Sequence, residues 1–184
     1  MFDDIKDLSQ CRDIFIEYLK HHEKNNQDRN KDWFPYLIKN IDLYLYWTIV
    51  FKEQRIVAFS AIQEHNFEKG TVRILSRTFF DPEIRLQPGY NFWSQTPVAP
   101  MAKKQLQWLS RGANFEKIII TMEPRHRRDY FVRIVKKIND RAGACFEMID
   151  EPIQTYPNQS ASLFQHAAQM SRDSFLEYEL LDSR

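Results

Sequence analysis

The chain has 184 residues, with 26 basic and 25 acidic side chains, a formal charge of +1, and 14 Phe, 8 Tyr and 4 Trp. A chain of this length fits one domain that buries roughly two thirds of its unfolded surface. Charge so evenly balanced argues against a dedicated nucleic-acid binder, which carries a clear basic excess. Cys11 and Cys145 alone offer neither a disulfide framework nor a CxxC site. No apolar run approaches the ~20 residues that cross a bilayer, and the acidic start Met1-Phe2-Asp3-Asp4 is unlike a signal peptide. The expectation is a single soluble domain spanning residues 1–184, located in the cytoplasm.

Cys11, Ile14, Phe15, Tyr18, Leu19 and His22 recur at helical spacing and predict a first helix from about Ser9, capped by Ser9 or Asp7. From His22 to Asp32 the chain turns polar. Trp33, Phe34, Leu37, Ile38 and Ile41 mark a second short helix, with Pro35 tolerable only in its first turn. Strands then take over at Tyr44–Phe51, Arg55–Gln63 and Thr71–Phe80. The second is apolar on both faces, which predicts a central strand covered on two sides. In the third, Val72, Ile74, Ser76, Thr78 and Phe80 alternate with Thr71, Arg73, Leu75, Arg77 and Phe79.

Asp81 to Ala99 holds Pro82, Pro88, Gly89 and Pro97 and reads as a long loop, a kind more often functional than not. A third helix is expected over Pro100–Arg111 with Gly112 as its C-terminal cap. Phe115–Met122 is a buried strand, and a fourth helix starts near Asp129 with Phe131, Ile134, Val135 and Ile138 on its core face. Cys145–Ile149 and Ser160–Ala168 are expected as the last strands, and residues 171–184 as a C-terminal helical tail.

With a short strand ahead of Ser9, this order of elements resembles the GNAT N-acetyltransferase fold across roughly residues 1 to 168. The resemblance implies an α+β (α/β) three-layer domain. Its central sheet would be mixed, mostly antiparallel, of about six to seven strands flanked by helices, with a splayed pair opening a slot for acetyl-CoA. It further implies that the pantetheine arm pairs with Thr71–Phe80. The pyrophosphate would sit on the following loop and on the next helix N-terminus, where free N–H groups and partial positive charge gather.

The family's Gln/Arg-x-x-Gly-x-Gly/Ala loop is absent. Thr96-Pro97-Val98-Ala99-Pro100-Met101-Ala102-Lys103 stands in its place, and its prolines remove amide donors. Ser94 or Thr96 still offers a hydroxyl, and Pro97 or Pro100 suits a first helical turn. Ile134 or Val135 falls near the family's helix-four tyrosine. Leu75-Ser76-Arg77-Thr78-Phe79 is similar over three or four residues to the Ser-Arg-Phe segment of acyl-homoserine-lactone synthases, which share the fold.

Several residues bear candidate chemistry. Arg73, Arg77 and Arg85 either anchor a phosphate or carboxylate through their guanidinium forks or form surface pairs with Asp81 and Glu83. Glu123-Pro124-Arg125-His126-Arg127-Arg128 follows a buried strand, at the end where open sheets hold ligands. There Arg127 and Arg128 either bind the phosphates of CoA or line a solvated loop ahead of a helix whose outer face, Arg133, Lys136 and Lys137, is exposed. Glu123 or His126 could accept a proton from an amine, with Glu123 the candidate base and Tyr130 the candidate acid, though a buried tyrosine is more often core. Strand amides near Phe79 and Phe80 would hold the oxyanion. His21 and His22 point about 100° apart on a helix and read as solvent-facing, and no metal site is expected.

Tyr90, Phe92 and Trp93 can stack on a base, cap the core or gate an acyl slot. The expected function is acyl transfer from acetyl-CoA to a small-molecule amine. Arg77, Phe79, Phe80, Ser94, Thr96, Arg127 and Arg128 would bind the cofactor, with no membrane or nucleic-acid partner and a homodimer open. The alternatives are a non-catalytic binding module, with Tyr90–Trp93 or Phe175–Leu181 as its handle, and an acyl-homoserine-lactone-synthase-like acyltransferase.

Overall fold

The computed structural model describes residues 4–25, 33–65, 68–82, 96–122, 128–154 and 164–175. In chain order the elements are β1 (Asp4–Lys6), α1 (Leu8–Asn25), α2 (Trp33–Lys39), a 3₁₀ turn (Ile41–Leu43), β2 (Tyr46–Lys52), β3 (Arg55–Glu64) and β4 (Thr71–Phe80). They continue with α3 (Val98–Ser110), β5 (Lys117–Met122), α4 (Arg128–Ala142), β6 (Glu147–Met148), β7 (Ile153–Gln154) and β8 (Phe164–Ser171). The strands form one mixed sheet in the order β1-β2-β3-β4-β5-β8-β6, with β7 also pairing β8. Among the described residues the parallel pair is β4–β5, and the other pairs are antiparallel. This is the expected α+β architecture.

The apolar pattern decides the layering. β3 is buried from Ile56 to Ile62, so both faces of the sheet need cover. On one face Cys11, Phe15 and Leu19 of α1 and Phe34 and Leu37 of α2 pack with Trp47, Ile49, Phe59 and Ala61. On the other, Val98, Ala102, Leu106 and Leu109 of α3 and Phe131, Ile134, Val135 and Ile138 of α4 pack with Ile62, Ile74, Ile118 and Ile120. Asp7 caps α1 by accepting from the Gln10 N–H at 3.2 Å, and the helix kinks at Cys11, whose φ is −150°.

Three expectations need correction. The strict alternation in β4 fails, because the register against β3 shifts twice, between Phe59 and Ala61 and between Ala61 and Gln63. Each shift is a bulge, with Leu75 at φ 52° and Arg77 at φ 55°. Arg73, Ser76 and Phe79 therefore face Gln63, Ala61 and Phe59 in register. Helix α3 starts at Val98, two residues ahead of Pro100, which its first turn accommodates. At the C-terminus the paired strand runs Phe164–Ser171, past the expected end at Ala168, and only its last residue takes a place in the expected tail. Residues 172–175 turn helically, and 176–184 lie outside the described residues.

Candidate functional site

The sheet opens between its two central strands. Pairing between β4 and β5 covers Thr71, Val72 and Arg73 against Lys117, Ile118 and Ile119. Beyond that, β4 runs on to Phe80 and β5 to Met122 without further pairing between them among the described residues. The Asp81 N–H donates to Val57 O at 2.9 Å. In an antiparallel ladder bonded and non-bonded pairs alternate, so Phe80–Ala58 is a non-bonded pair and the Phe80 N–H turns away from β3, toward the opening.

A buried polar bridge fixes α3 against this region. Gln105 has no solvent exposure. Its Oε1 accepts from the Leu75 N–H at 2.8 Å, and its Nε2 donates to Thr48 Oγ1 at 2.9 Å and Ser60 Oγ at 2.8 Å. The bulge thus turns one strand amide toward the helix, and the glutamine satisfies it there. Buried polar groups need such partners.

At the start of α3, Pro97 stands at the cap and makes no side-chain cap hydrogen bond. Val98 and Ala99 supply first-turn N–H groups that point out of the helix, whereas Pro100 has none. Thr96 is buried, and its Oγ1 accepts from Lys137 Nζ of α4 at 3.0 Å. Lys137 is half-buried rather than on the exposed face with Arg133 and Lys136. Burial, followed by the nearby Arg141 charge, pulls its pKa below the ordinary lysine value. A cation beside the positive end of a helix is unfavourable unless an anion joins them.

A second cluster lies on the α1/α2 face, directly after β4. The Tyr18 hydroxyl donates to Asp81 Oδ2 at 3.2 Å. His22 Nε2 lies 3.8 Å from the same oxygen, with the His22 side chain 17% exposed and that of Asp81 6%. The imidazole stacks on Phe34 at 5.6 Å and meets Phe79 edge-on at 5.4 Å. Trp33 stacks on Phe59 at 5.9 Å and leans on Phe79 at the same distance. His22 is therefore not solvent-facing. Its place on the apolar stripe with Tyr18 and Leu19 was the available signal, and Asp81 is buried rather than at the surface.

The other expected site residues are dispersed. Arg77 Nε donates to the Tyr44 hydroxyl at 3.0 Å and its guanidinium lies 5.3 Å from the Tyr36 ring, on the α1/α2 face. The sheet therefore lies between Arg77 and Thr96. Arg73 is buried and donates to Gln63 Oε1 at 2.7 Å, so it is not a surface arginine. Phe79 belongs to the aromatic cluster and Phe80 packs toward α3 and Met101. Arg128 is exposed and ion-paired with Asp150 at 3.0 Å. Tyr130 is half-buried against the α3/α4 core. Ser94, Glu123 and Arg127 lie outside the described residues, as do Glu83, Arg85, Tyr90, Phe92, Trp93, Arg125 and His126. Among the described residues no group of three or more His, Cys, Asp or Glu could hold a metal ion, and no helix is long and apolar enough to cross a membrane.

No protein-family model matches the sequence, and no curated protein is similar to it in sequence. Solved structures are similar in shape. A probable acetyltransferase from Staphylococcus epidermidis aligns with a TM-score of 0.54 at 13% identity, over 94% of this chain and 99% of its own. Spermidine N-acetyltransferase from Vibrio cholerae, in complex with CoA and spermine, aligns with a TM-score of 0.54 at 12% identity, over 94% and 97%. A GNAT-family acetyltransferase from Bacillus anthracis aligns with a TM-score of 0.52 at 14% identity, over 79% and 76%. Together with the split central sheet, these likenesses give the chain the fold of the GNAT acetyltransferases.

Proposed function

We propose that the chain transfers an acetyl or other acyl group from a coenzyme A thioester to an amine. The observation that carries this reading is the opening between β4 and β5 with the Phe80 N–H turned toward it. In the proposed complex the pantetheine arm lies along β4 and its thioester carbonyl meets that N–H, a donor aimed where negative charge develops. The pyrophosphate lies at the start of α3, where the first-turn amides, Thr96 and Lys137 converge. Lys137 takes over part of what a glycine-rich loop would supply, since Pro100 contributes no amide. Tyr130 is the proposed proton donor to the departing thiolate.

The amine approaches from the opposite, α1/α2 face. Because the Vibrio cholerae neighbour is a spermidine N-acetyltransferase, polyamines are the first acceptors to test. Acetyl-CoA should raise the melting temperature and release free thiol in the presence of spermidine or another primary amine. Neither a shift nor thiol release at millimolar acetyl-CoA would sink the reading. The proline-bearing start of α3 favours one competitor, a non-catalytic binding module, which would bind an amine without consuming the thioester.

A further inference from the structure

We infer that Gln105 and Thr78 are positioning residues that keep the opening between β4 and β5 clear for the acyl carrier, an inference that rests on the acyl-transfer reading above. Together their side chains draw both backbone groups of one residue, Leu75, away from the sheet. Gln105 Oε1 accepts from the Leu75 N–H at 2.8 Å, and Thr78 Oγ1 donates to the Leu75 carbonyl oxygen at 2.5 Å.

Leu75 stands where the parallel ladder would otherwise continue. That ladder sets Thr71, Val72 and Arg73 against Lys117, Ile118 and Ile119, and stops there among the described residues. Carried on in the same register, it would set Leu75 opposite Thr121 of β5. On the other side of β4, Arg73 and Ser76 are in register with Gln63 and Ala61, so Ile74 and Leu75 together face Ile62 as the bulge. Their backbone groups are the ones left to extend the pairing toward β5. Leu75 instead has φ 52°, a left-handed conformation that a leucine side chain disfavours. Such a conformation persists where its surroundings hold it, and it clusters at functional positions. Here a helix side chain holds the N–H, and a residue further along β4 holds the C=O.

The Gln105 side chain is fixed in this role. It has no solvent exposure. Leu75 offers a donor, so the atom meeting it is the oxygen, and Nε2 gives its hydrogens to Thr48 Oγ1 on β2 and Ser60 Oγ on β3. Thr48 Oγ1 donates onward to the Ser60 carbonyl at 3.1 Å, and Ser60 Oγ to Met101 Sδ at 3.7 Å. A flipped amide would set its NH₂ against the Leu75 N–H. A satisfied buried network specifies one geometry, and this one aims the Leu75 N–H at α3 rather than at β5. Without either side chain, β5 is the next partner for a Leu75 group. The ladder would then extend past Arg73 and Ile119 along the edge of β4 where the pantetheine arm is proposed to lie.

The test compares wild type with Thr78→Val, Thr78→Ser and Gln105→Met. Each is titrated with acetyl-CoA by calorimetry, assayed for thiol release with spermidine, and examined by NMR for backbone contacts between β4 and β5. Thr78→Val and Gln105→Met should each weaken acetyl-CoA binding by about tenfold, the scale of one net hydrogen bond. Both should leave the KM for spermidine unchanged and show new contacts between Leu75 and Thr121. Thr78→Ser keeps the hydroxyl and should match wild type in all three readouts. Thr78→Val nearly preserves the native shape, so it reports even where Gln105→Met fails to fold. A folded Thr78→Val that binds acetyl-CoA as wild type does overturns the inference. So does weakened binding with no new contact between the strands, which is the result a merely structural role predicts. A wild type that neither binds acetyl-CoA nor releases thiol overturns acyl transfer and the role in it. The two failures are distinguishable, because the NMR contacts need no ligand.

Discussion

Lys137 and Gln105 are both polar groups drawn inward, with opposite consequences. Lys137 holds its charge beside the first turn of α3 with the Thr96 hydroxyl as its recorded hydrogen-bond partner. Because its pKa is lowered on folding, the unfolded chain binds more protons in the window below the ordinary lysine value. The charged form therefore costs stability as pH falls through the folded value, and the cost fades as pH rises above the unfolded one. Lys137→Met should leave the ligand-free melting temperature unreduced at neutral pH. It should weaken acetyl-CoA binding by about tenfold or more, since hydrogen bonds to charged groups contribute about 1.5–3 kcal/mol; calorimetric titration checks both the affinity and its salt dependence. Gln105 is the converse, a residue that stabilises. Gln105→Leu strands the Leu75 N–H and leaves Thr48 and Ser60 without their amide donor. Denaturant unfolding should show a loss of about 3 kcal/mol, given about 1–3 kcal/mol per buried group left unsatisfied.

Among the elements, β4 carries the most information about the site and the β2–β3 hairpin the most removable strain. In β4, two residues with positive φ sit where the register against β3 shifts, and pairing with β5 stops at Arg73 among the described residues. The hairpin turns on Glu53 and Gln54, at φ 51° and 62°. A turn with both central residues left-handed suits Asn-Gly and penalises longer side chains. Gln54→Gly should relieve about 1 kcal/mol and raise the melting temperature by roughly 2–4 °C, the usual response for a domain of this size. The turn lies at the same end of the sheet as Phe80 and Asp81, because the start of β3 pairs with the end of β4. Lys52-Glu53-Gln54 is legible in the sequence as a turn, but its left-handed backbone is not, since neither Glu53 nor Gln54 is a residue that announces positive φ.

At the scale of the whole molecule, the sheet separates the two proposed half-sites. The α3/α4 side carries Thr96, Lys137 and the helix terminus, and the α1/α2 side carries His22, Asp81 and the aromatic cluster. A ligand bridging them binds the folded chain alone, so it must stabilise it. At a hundredfold excess over Kd, acetyl-CoA should add about 2.7 kcal/mol, or a rise of roughly 5–10 °C in melting temperature, measurable by calorimetry. The same separation explains why Arg77 and Thr96, both expected to bind the cofactor, lie on opposite faces.

Periodicity alone carried the layering of this protein. The stripe Cys11–His22, the two-sided β3 and the core face of α4 were legible because burial is written locally, as spacing along one element. So was the order of elements that led to the fold. The site was not written that way. Tyr18 and Asp81 lie 63 residues apart, Lys137 and Thr96 41 apart, and no spacing rule links either pair. His22 stood in the apolar stripe, yet its neighbour His21 and the polar run after it invited a solvent-facing reading. β4 was expected to alternate, and its bulges place Leu75 with Gln105 of a helix that follows it in the chain. Which face each side chain addresses was decided by how two helix layers close on a strand that bends, which is a property of the assembled tertiary structure and not of any one segment.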